Sequence, residues 1–294
     1  MDCALACIAR GRSVRSVCSA LSVARSHVIE MMQRSADWVD QRKAQYQQQQ
    51  DESWLIDKIK TIIDAQGSYG YRRVWAVLRY QQAVCVNHKR IYRIMRDMGM
   101  LLYRHGYQRA NERRHDGVIQ VKESNKRWCS DGLEIRCDNG EKVRVAFALD
   151  CCDREILSWV ATTKGITSHL INDLMMQAVE KRFGMNHPPE QPVEWLTDNG
   201  SCYIAHETKA FAKVLGLKPV TTPVSSPQSN GMAESFVKTL KRDYAALADK
   251  PNATAVMQQL ELWFEHYNTK HPHSALNYLS PRMFRQKQKE ALST

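Results

Sequence analysis

The sequence predicts an α/β protein in which a mixed five-stranded sheet is flanked by helices and preceded by all-helical segments. Three observations carry this. Up to about residue 100 the apolar residues recur at helical spacing, from 127 to 163 they alternate with period two in three successive runs, and beyond 166 helical and strand-like segments take turns.

Residues 13–33, SVRSVCSALSVARSHVIEMMQ, have the rhythm of a helix, a short turn and a second helix. The second helix opens with Arg25, Ser26 and His27, small polar and basic residues suited to reading DNA from an exposed first turn; packing in an ordinary helical hairpin gives the same spacing. Residues 41–53, QRKAQYQQQQDES, are polar and low in complexity and read as a linker or helix extension. A second helical unit follows over 54–66, 70–81 and 87–100, with Gly67 ending its first helix, Asn87 placed to cap its third and Gly99 to end it. On that third helix Ile91, Ile94 and Met95 are expected to face inward, leaving Lys89, Arg90, Arg93 and Arg96 outside for phosphate contact or as a solvated face.

Periodicity is lost over 105–126, which marks a linker. Three strands are then expected over 127–137, 142–153 and 155–163, the first two joined by the hairpin signal Asp-Asn-Gly. A helix (166–184), a strand (193–198), a helix (206–216), a strand (218–223) and helices from 232 complete the pattern. The expected domains are 1–50, 51–104, a linker at 105–124, an α/β core at 125–248 and a helical extension at 249–294.

The chain has 294 residues and a formal net charge of +11. Residues 1–123 hold 21 basic and 12 acidic side chains, against 21 and 19 in the remainder, so the excess lies at the front and suits a polyanionic partner such as nucleic acid. No apolar run is long enough to span a membrane. The nine cysteines are scattered without a C-x-x-C pair, which argues against a disulfide framework or a structural zinc site and suits a reducing compartment, the cytoplasm.

Three acids carry the candidate chemistry. Asp131 falls on the same strand face as Cys129, Leu133, Ile135 and Cys137, where an ionised carboxylate is costly unless a cation or partner stands beside it or a bulge turns it to water. Asp198 ends a short apolar strand in LTDNGS, at the carboxyl edge where α/β sheets place ligand-binding groups; a turn without function would look alike. Glu234 heads the helix in SSPQSNGMAESFVKTLKRDY, with Lys238 and Lys241 one and two turns on, either as surface ion pairs or as holders of a nucleic-acid backbone. Carboxylates from separate elements are what a pair of Mg²⁺ ions, roughly 3.5–4 Å apart, requires for phosphoryl transfer. Asp150, at the end of the second strand, is expected in a turn and outside the metal site.

The order Asp131, Asp198, 35 intervening residues, Glu234 resembles the signature of retroviral integrases and of insertion-sequence transposases. RWCSD, TDNGS and SSPQSNGMAESFVKTLK around the acids, WFEHYNTKHPHSALNYLSPRMF (263–284) downstream and GSYGYRRVWAVLR (67–79) upstream are similar to motifs of the same group. The resemblance implies an RNase H-like core in which Asp131, Asp198 and Glu234 bind two Mg²⁺ or Mn²⁺ ions. It also implies attack by water, and later by a DNA 3′-hydroxyl, on phosphodiesters at element ends and in target DNA. Lys241 matches a basic position used near the DNA end, and the loop 225–231 is expected beside the site. Double-stranded DNA, self-association on it, an upstream frameshift-fused polypeptide and a nucleoid location are the implied partners and place. An inactive DNA-binding repressor or remnant, and a nuclease that cuts without joining, are the alternatives.

Overall fold

The computed structural model describes residues 2–35, 52–103, 121–185, 187–222 and 231–292. They fall into two compact units, residues 1–55 and 56–294. The expected linkers at 41–53 and 105–126 lie largely outside the described residues, as does most of the loop 225–231.

In the first unit α1 (Asp2–Ala9), which the sequence pattern showed only as a short apolar patch, precedes α2 (Val14–Ala20) and α3 (Arg25–Met32). Ser13 caps α2 by accepting a hydrogen bond from the Ser16 amide at 3.2 Å. Ala4, Val17, Cys18 and Val28 are buried, one or two from each helix, and this small apolar contact leaves Arg25 and Ser26 exposed on the first turn of α3.

The second unit begins within α4 (Ser53–Ala65) and continues with α5 (Tyr71–Gln81) and α6 (His88–Asp97). Asn87 caps α6 through a 2.9 Å hydrogen bond from the Lys89 amide, and Gly99 takes the left-handed conformation just beyond it, φ +68°. Ile91, Ile94 and Met95 are buried as their spacing predicts. Lys89 and Arg96 are exposed, whereas Arg90 and Arg93 are half-buried: α6 packs on α5, and the aliphatic stems flanking its apolar stripe are covered.

The sheet has the order β3-β2-β1-β4-β5. The strands β1 (Arg127–Arg136), β2 (Lys142–Asp150) and β3 (Ile156–Thr162) form the antiparallel meander, while β4 (Val193–Thr197) pairs parallel to β1 and β5 (Leu217–Thr221) parallel to β4. This is the expected RNase H-like sheet. Period two sorts its residues: Cys129, Leu133, Ile135, Val143, Val145, Phe147 and Leu149 face one layer, and Trp128, Ala146, Ala148 and Trp195 the other.

Behind the second face lies α7 (Ser168–Phe183), capped by Thr167 and ended by Gly184 at φ +97°, with α8 (Ser201–Ile204) and α9 (His206–Val214) alongside. The first face is covered by α10 (Gly231–Leu240), a π-helical turn over Lys241–Ala245, and α11 (Ala253–Thr269). Ala233, Phe236 and Leu240 form the buried stripe of α10, and Phe236 meets the ring of Phe147 at 4.5 Å and that of Tyr267 at 4.8 Å. Burying such a ring stabilises by about 1.5–3 kcal/mol and fixes the rotation of the helix one residue before and two after Glu234.

The tail motif has structural work. Asn268 on α11 accepts from the Ile156 amide at 2.8 Å and donates to the Ile156 carbonyl at 2.9 Å, holding the start of β3. A 3₁₀ turn (Ser274–Leu276) and α12 (Pro281–Leu292) follow.

Candidate active site

Asp131 lies in the middle of β1 and Asp198 directly after β4, strands paired in parallel with Trp128 opposite Trp195 and Cys129 opposite Leu196. Two further steps along that register bring position 131 level with position 198. The alternation that places Cys129 and Leu196 in the layer under α10 puts both acids on the same side as the helix of Glu234, and α10 packs on β1.

Each acid is seated by local backbone. Asp131 Oδ1 accepts from the Gly132 amide at 2.7 Å, and Asp198 Oδ1 accepts from the Gly200 amide at 3.0 Å. Gly200 is required by proximity rather than by its dihedral angles: a Cβ there would stand 3.0 Å from that same Asp198 oxygen. The Asn199 side chain donates to the Thr222 carbonyl at 3.1 Å, tying the turn to the end of β5. Tyr203, buried on α8, holds the turn from the other side, its hydroxyl 3.0 Å from Ser130 Oγ, the neighbour of Asp131.

Electrostatics joins the three acids. Burial pushes the Asp131 carboxyl above its ordinary range, the Gly132 amide works against this, the negative charges of Asp198 and Glu234 raise it further, and Lys241 offsets them. Glu234 is half-buried, with Lys238 Nζ at 3.9 Å in the expected i to i+4 pair; that ammonium is 78% exposed, so the pair adds little stability. Lys241 is exposed at the start of the π-helical turn, so the regular helix that carries Glu234 gives way where this cation stands.

Among the described residues no three His, Cys, Asp or Glu side chains form a ready-made metal cage. The donor set nevertheless suits a hard dication: all-oxygen, with one oxygen of Asp131 and of Asp198 taken by a backbone amide, and like charges that repel unless a cation comes between them.

Asp150 stands apart, fully buried. It accepts from the amides of Asn125 (2.7 Å), Cys152 (2.8 Å) and Asp153 (3.2 Å) and from the Trp128 indole (3.1 Å), closing the turn between β2 and β3 as expected of it. Burial and the neighbouring Asp153 push its carboxyl up to about 6.

Tyr203 and Ser130 stand beside the candidate acids without any signal in the sequence. The Asn-Gly pair was legible as a turn, but the phenol of Tyr203 reaching Ser130 across 73 positions left no local signal.

Family models match this chain along most of its length. An integrase core domain covers residues 121–227 and a second integrase core domain model 215–281; an HTH-like domain covers 49–107, and the IS2 transposase InsD N-terminal domain 1–37. The transposase InsD for insertion element IS2A/D/F/H/I/K of Escherichia coli is 51% identical over 288 residues, spanning 97% of this chain and 94% of its own length. The chain belongs to the InsD-type insertion-element transposases. The transposase InsD for insertion element IS2-9 of Escherichia coli strain K12 is likewise 51% identical, over 97% of this chain and 92% of its own. Among solved structures, a chain of the simian T-cell lymphotropic virus intasome in complex with PP2A regulatory subunit B56 gamma is 17% identical with a TM-score of 0.49, covering 71% of this chain and 73% of that one. This transposase is therefore a DNA-acting polynucleotidyl transferase with an integrase core and an HTH-like domain. No helix among its described residues is long and apolar enough to cross a membrane.

Proposed function

We propose that Asp131, Asp198 and Glu234 are the catalytic acids of this transposase and that they hold two divalent cations, Mg²⁺ or Mn²⁺, for cleavage and strand transfer at the ends of a mobile element. The observation that carries the reading is geometric: Asp131 on β1 and Asp198 at the end of the parallel β4 stand level in register, on the face of the sheet that α10, the helix of Glu234, packs against. Bound there, the cations would activate an attacking oxygen and stabilise the departing one.

The chain's own residues supply the rest. The Gly132 and Gly200 amides fix one oxygen of Asp131 and of Asp198, so the other oxygen of each is left to the cation. Tyr203 and Asn199 hold the Asp198 turn against β1 and β5, a positioning role. Lys238 and Lys241, both exposed beside Glu234, would neutralise phosphates of the DNA end. Arg25 and Ser26 on α3, and Lys89, Arg90 and Arg93 on α6, are the further DNA contacts. Joining two element ends to a target calls for more than one copy on the DNA, so self-association belongs to the proposal, as do an upstream fused polypeptide and a place on the bacterial nucleoid in the cytoplasm. The domain division at 50, 104, 124 and 248 is part of the same reading.

Incubating the protein with duplexes carrying the element's ends, with Mg²⁺ or with a chelator, tests it. Nicked and joined products that need the cation are expected. Nicks without joining would leave a nuclease, and binding without either product a repressor.

A further inference from the structure

The tail motif and the HTH-like helices meet in a feature that the proposed chemistry leaves unused. A cleft of about 720 Å³ opens between Tyr71, Arg72 and Tyr92 of α5 and α6, Tyr103 beyond them, Arg242 of the π-helical turn, and Tyr278 of the tail. Its size falls within the roughly 300–1,000 Å³ of ordinary small-ligand sites, which is room for a nucleotide and not for a double helix. Its lining alternates aromatic faces with guanidinium groups. The rings of Tyr71 and Tyr92 meet edge to face at 5.1 Å, the Arg72 guanidinium lies 5.8 Å from the centre of the Tyr71 ring, and Arg72 Nε donates a 3.1 Å hydrogen bond to the Tyr71 hydroxyl. Tyr103 is 84% exposed; the Arg242 side chain is 55% exposed, with Nε and Nη2 donating to Asp243 at 2.6 and 2.7 Å and the outer Nη1 edge left toward the cleft.

A second observation is independent of the lining. Asn277 and Tyr278 are consecutive non-glycine residues with positive φ, +53° and +63°, a conformation disfavoured for a side chain such as tyrosine. The surrounding fold enforces it: the Tyr278 amide donates to the His273 carbonyl at 2.7 Å and the His273 amide to the Leu279 carbonyl at 3.1 Å. The strained turn lies where the Tyr278 ring lines the cleft and meets Trp75 edge-on at 6.2 Å.

We infer that this cleft binds an unpaired nucleotide of the DNA, its base stacked on tyrosine and its phosphate held by Arg72 and Arg242. In an intact duplex the base faces are buried in the stack and unavailable to tyrosine, so only a single-stranded or extruded nucleotide can use these rings. Arg242 directly follows Lys241, which sets the cleft on the turn that continues the helix of Glu234. The inference rests on the DNA-joining reading and names the DNA form that its site accommodates.

The test compares a fluorescently labelled blunt duplex with the same duplex carrying a short single-stranded 3′ tail, the tail containing 2-aminopurine. Wild-type protein is expected to bind the tailed DNA more tightly and to quench the 2-aminopurine. Tyr103→Ala and Tyr71→Ala should weaken tailed-DNA binding by about five-fold to a hundred-fold, the range of one base stack, and relieve the quenching, while leaving the blunt duplex unchanged; Tyr103→Phe should restore both. Equal affinity of the wild type for the two DNAs, or equal loss on both in the alanine variants, overturns the inference. A tail preference in a protein that neither nicks nor joins would instead overturn the catalytic reading, so the two failures are distinct.

Discussion

The Arg73 guanidinium on α5 donates a 2.8 Å hydrogen bond to Oδ2 of Asp243, tying the HTH-like segment to the π-helical turn that continues the helix of Glu234. The Asp243 side chain is fully buried and also receives Arg242 at 2.6 and 2.7 Å, and these partners hold its carboxyl below the ordinary range against its burial. Around it the Tyr69 and Tyr244 hydroxyls lie 3.2 and 3.3 Å from His271 Nδ1.

Removing Arg73 leaves part of a buried negative charge uncompensated. Arg73→Ala is expected to destabilise by about 3 kcal/mol in urea denaturation, the low end for a broken buried pair because Arg242 remains. Arg242→Ala, at an exposed guanidinium, should cost less. Joining should suffer in Arg73→Ala even where the protein stays folded, since the turn bearing Lys241 loses its anchor; a variant as stable and as active as the wild type would show the pair to be idle.

Burial keeps the His271, His273 and His266 rings below their usual pKa, His271 well below and His273 down to about 3. The fold thus prefers them neutral, and their contribution is fully present above about pH 6.5. As pH falls below that value the unfolded chain gains protons that the folded chain refuses, and stability drops by about 1.4 kcal/mol per pH unit for each proton of difference. Between pH 7.5 and 4 the raised carboxyls of Asp150 and Asp131 act in the opposite sense, so the effect is read as a difference: His273→Gln should lower the slope of the denaturation midpoint against pH by about one proton relative to the wild type. The same slope in both proteins would contradict the buried-neutral state of His273.

Gly200→Ala isolates the seat of Asp198. The backbone at 200, φ −59° and ψ 139°, accepts alanine without strain, so stability should change by less than about 1 kcal/mol. The added Cβ meets the Asp198 oxygen at 3.0 Å and displaces the carboxylate, for which a loss of about ten-fold to a hundred-fold in strand joining is expected. Unchanged kinetics of Gly200→Ala would mean that this seat does not matter.

What could be read in the sequence was whatever local periodicity encodes. The meander appears in the alternation of Val143, Val145, Phe147 and Leu149, and the cap of α6 in Asn87, because a strand face or a helix start is decided within a few residues. The candidate acids stood out through their settings in the chain, Asp131 among apolar neighbours and Asp198 before Asn-Gly. The π-helical turn was not legible: KTLKRDYAAL reads as continuous helix, while Arg73, one of the two arginines that hold its Asp243, lies 170 residues away. The half-burial of Arg90 and Arg93 and the reach of Tyr203 to Ser130 are likewise products of packing between distant segments. In the tail, the roles of Asn268 and His271 depend on Ile156 and Tyr69, and no spacing within 263–284 announces either.

Cation binding tests most directly whether the three acids act as one site. Titrating the folded protein with Mn²⁺ and following the free ion by electron paramagnetic resonance should show binding by the wild type. Asp131→Asn, Asp198→Asn and Glu234→Gln should each weaken it by about ten-fold or more while leaving duplex binding in place. Wild-type Mn²⁺ affinity in any one of these variants would contradict a shared site.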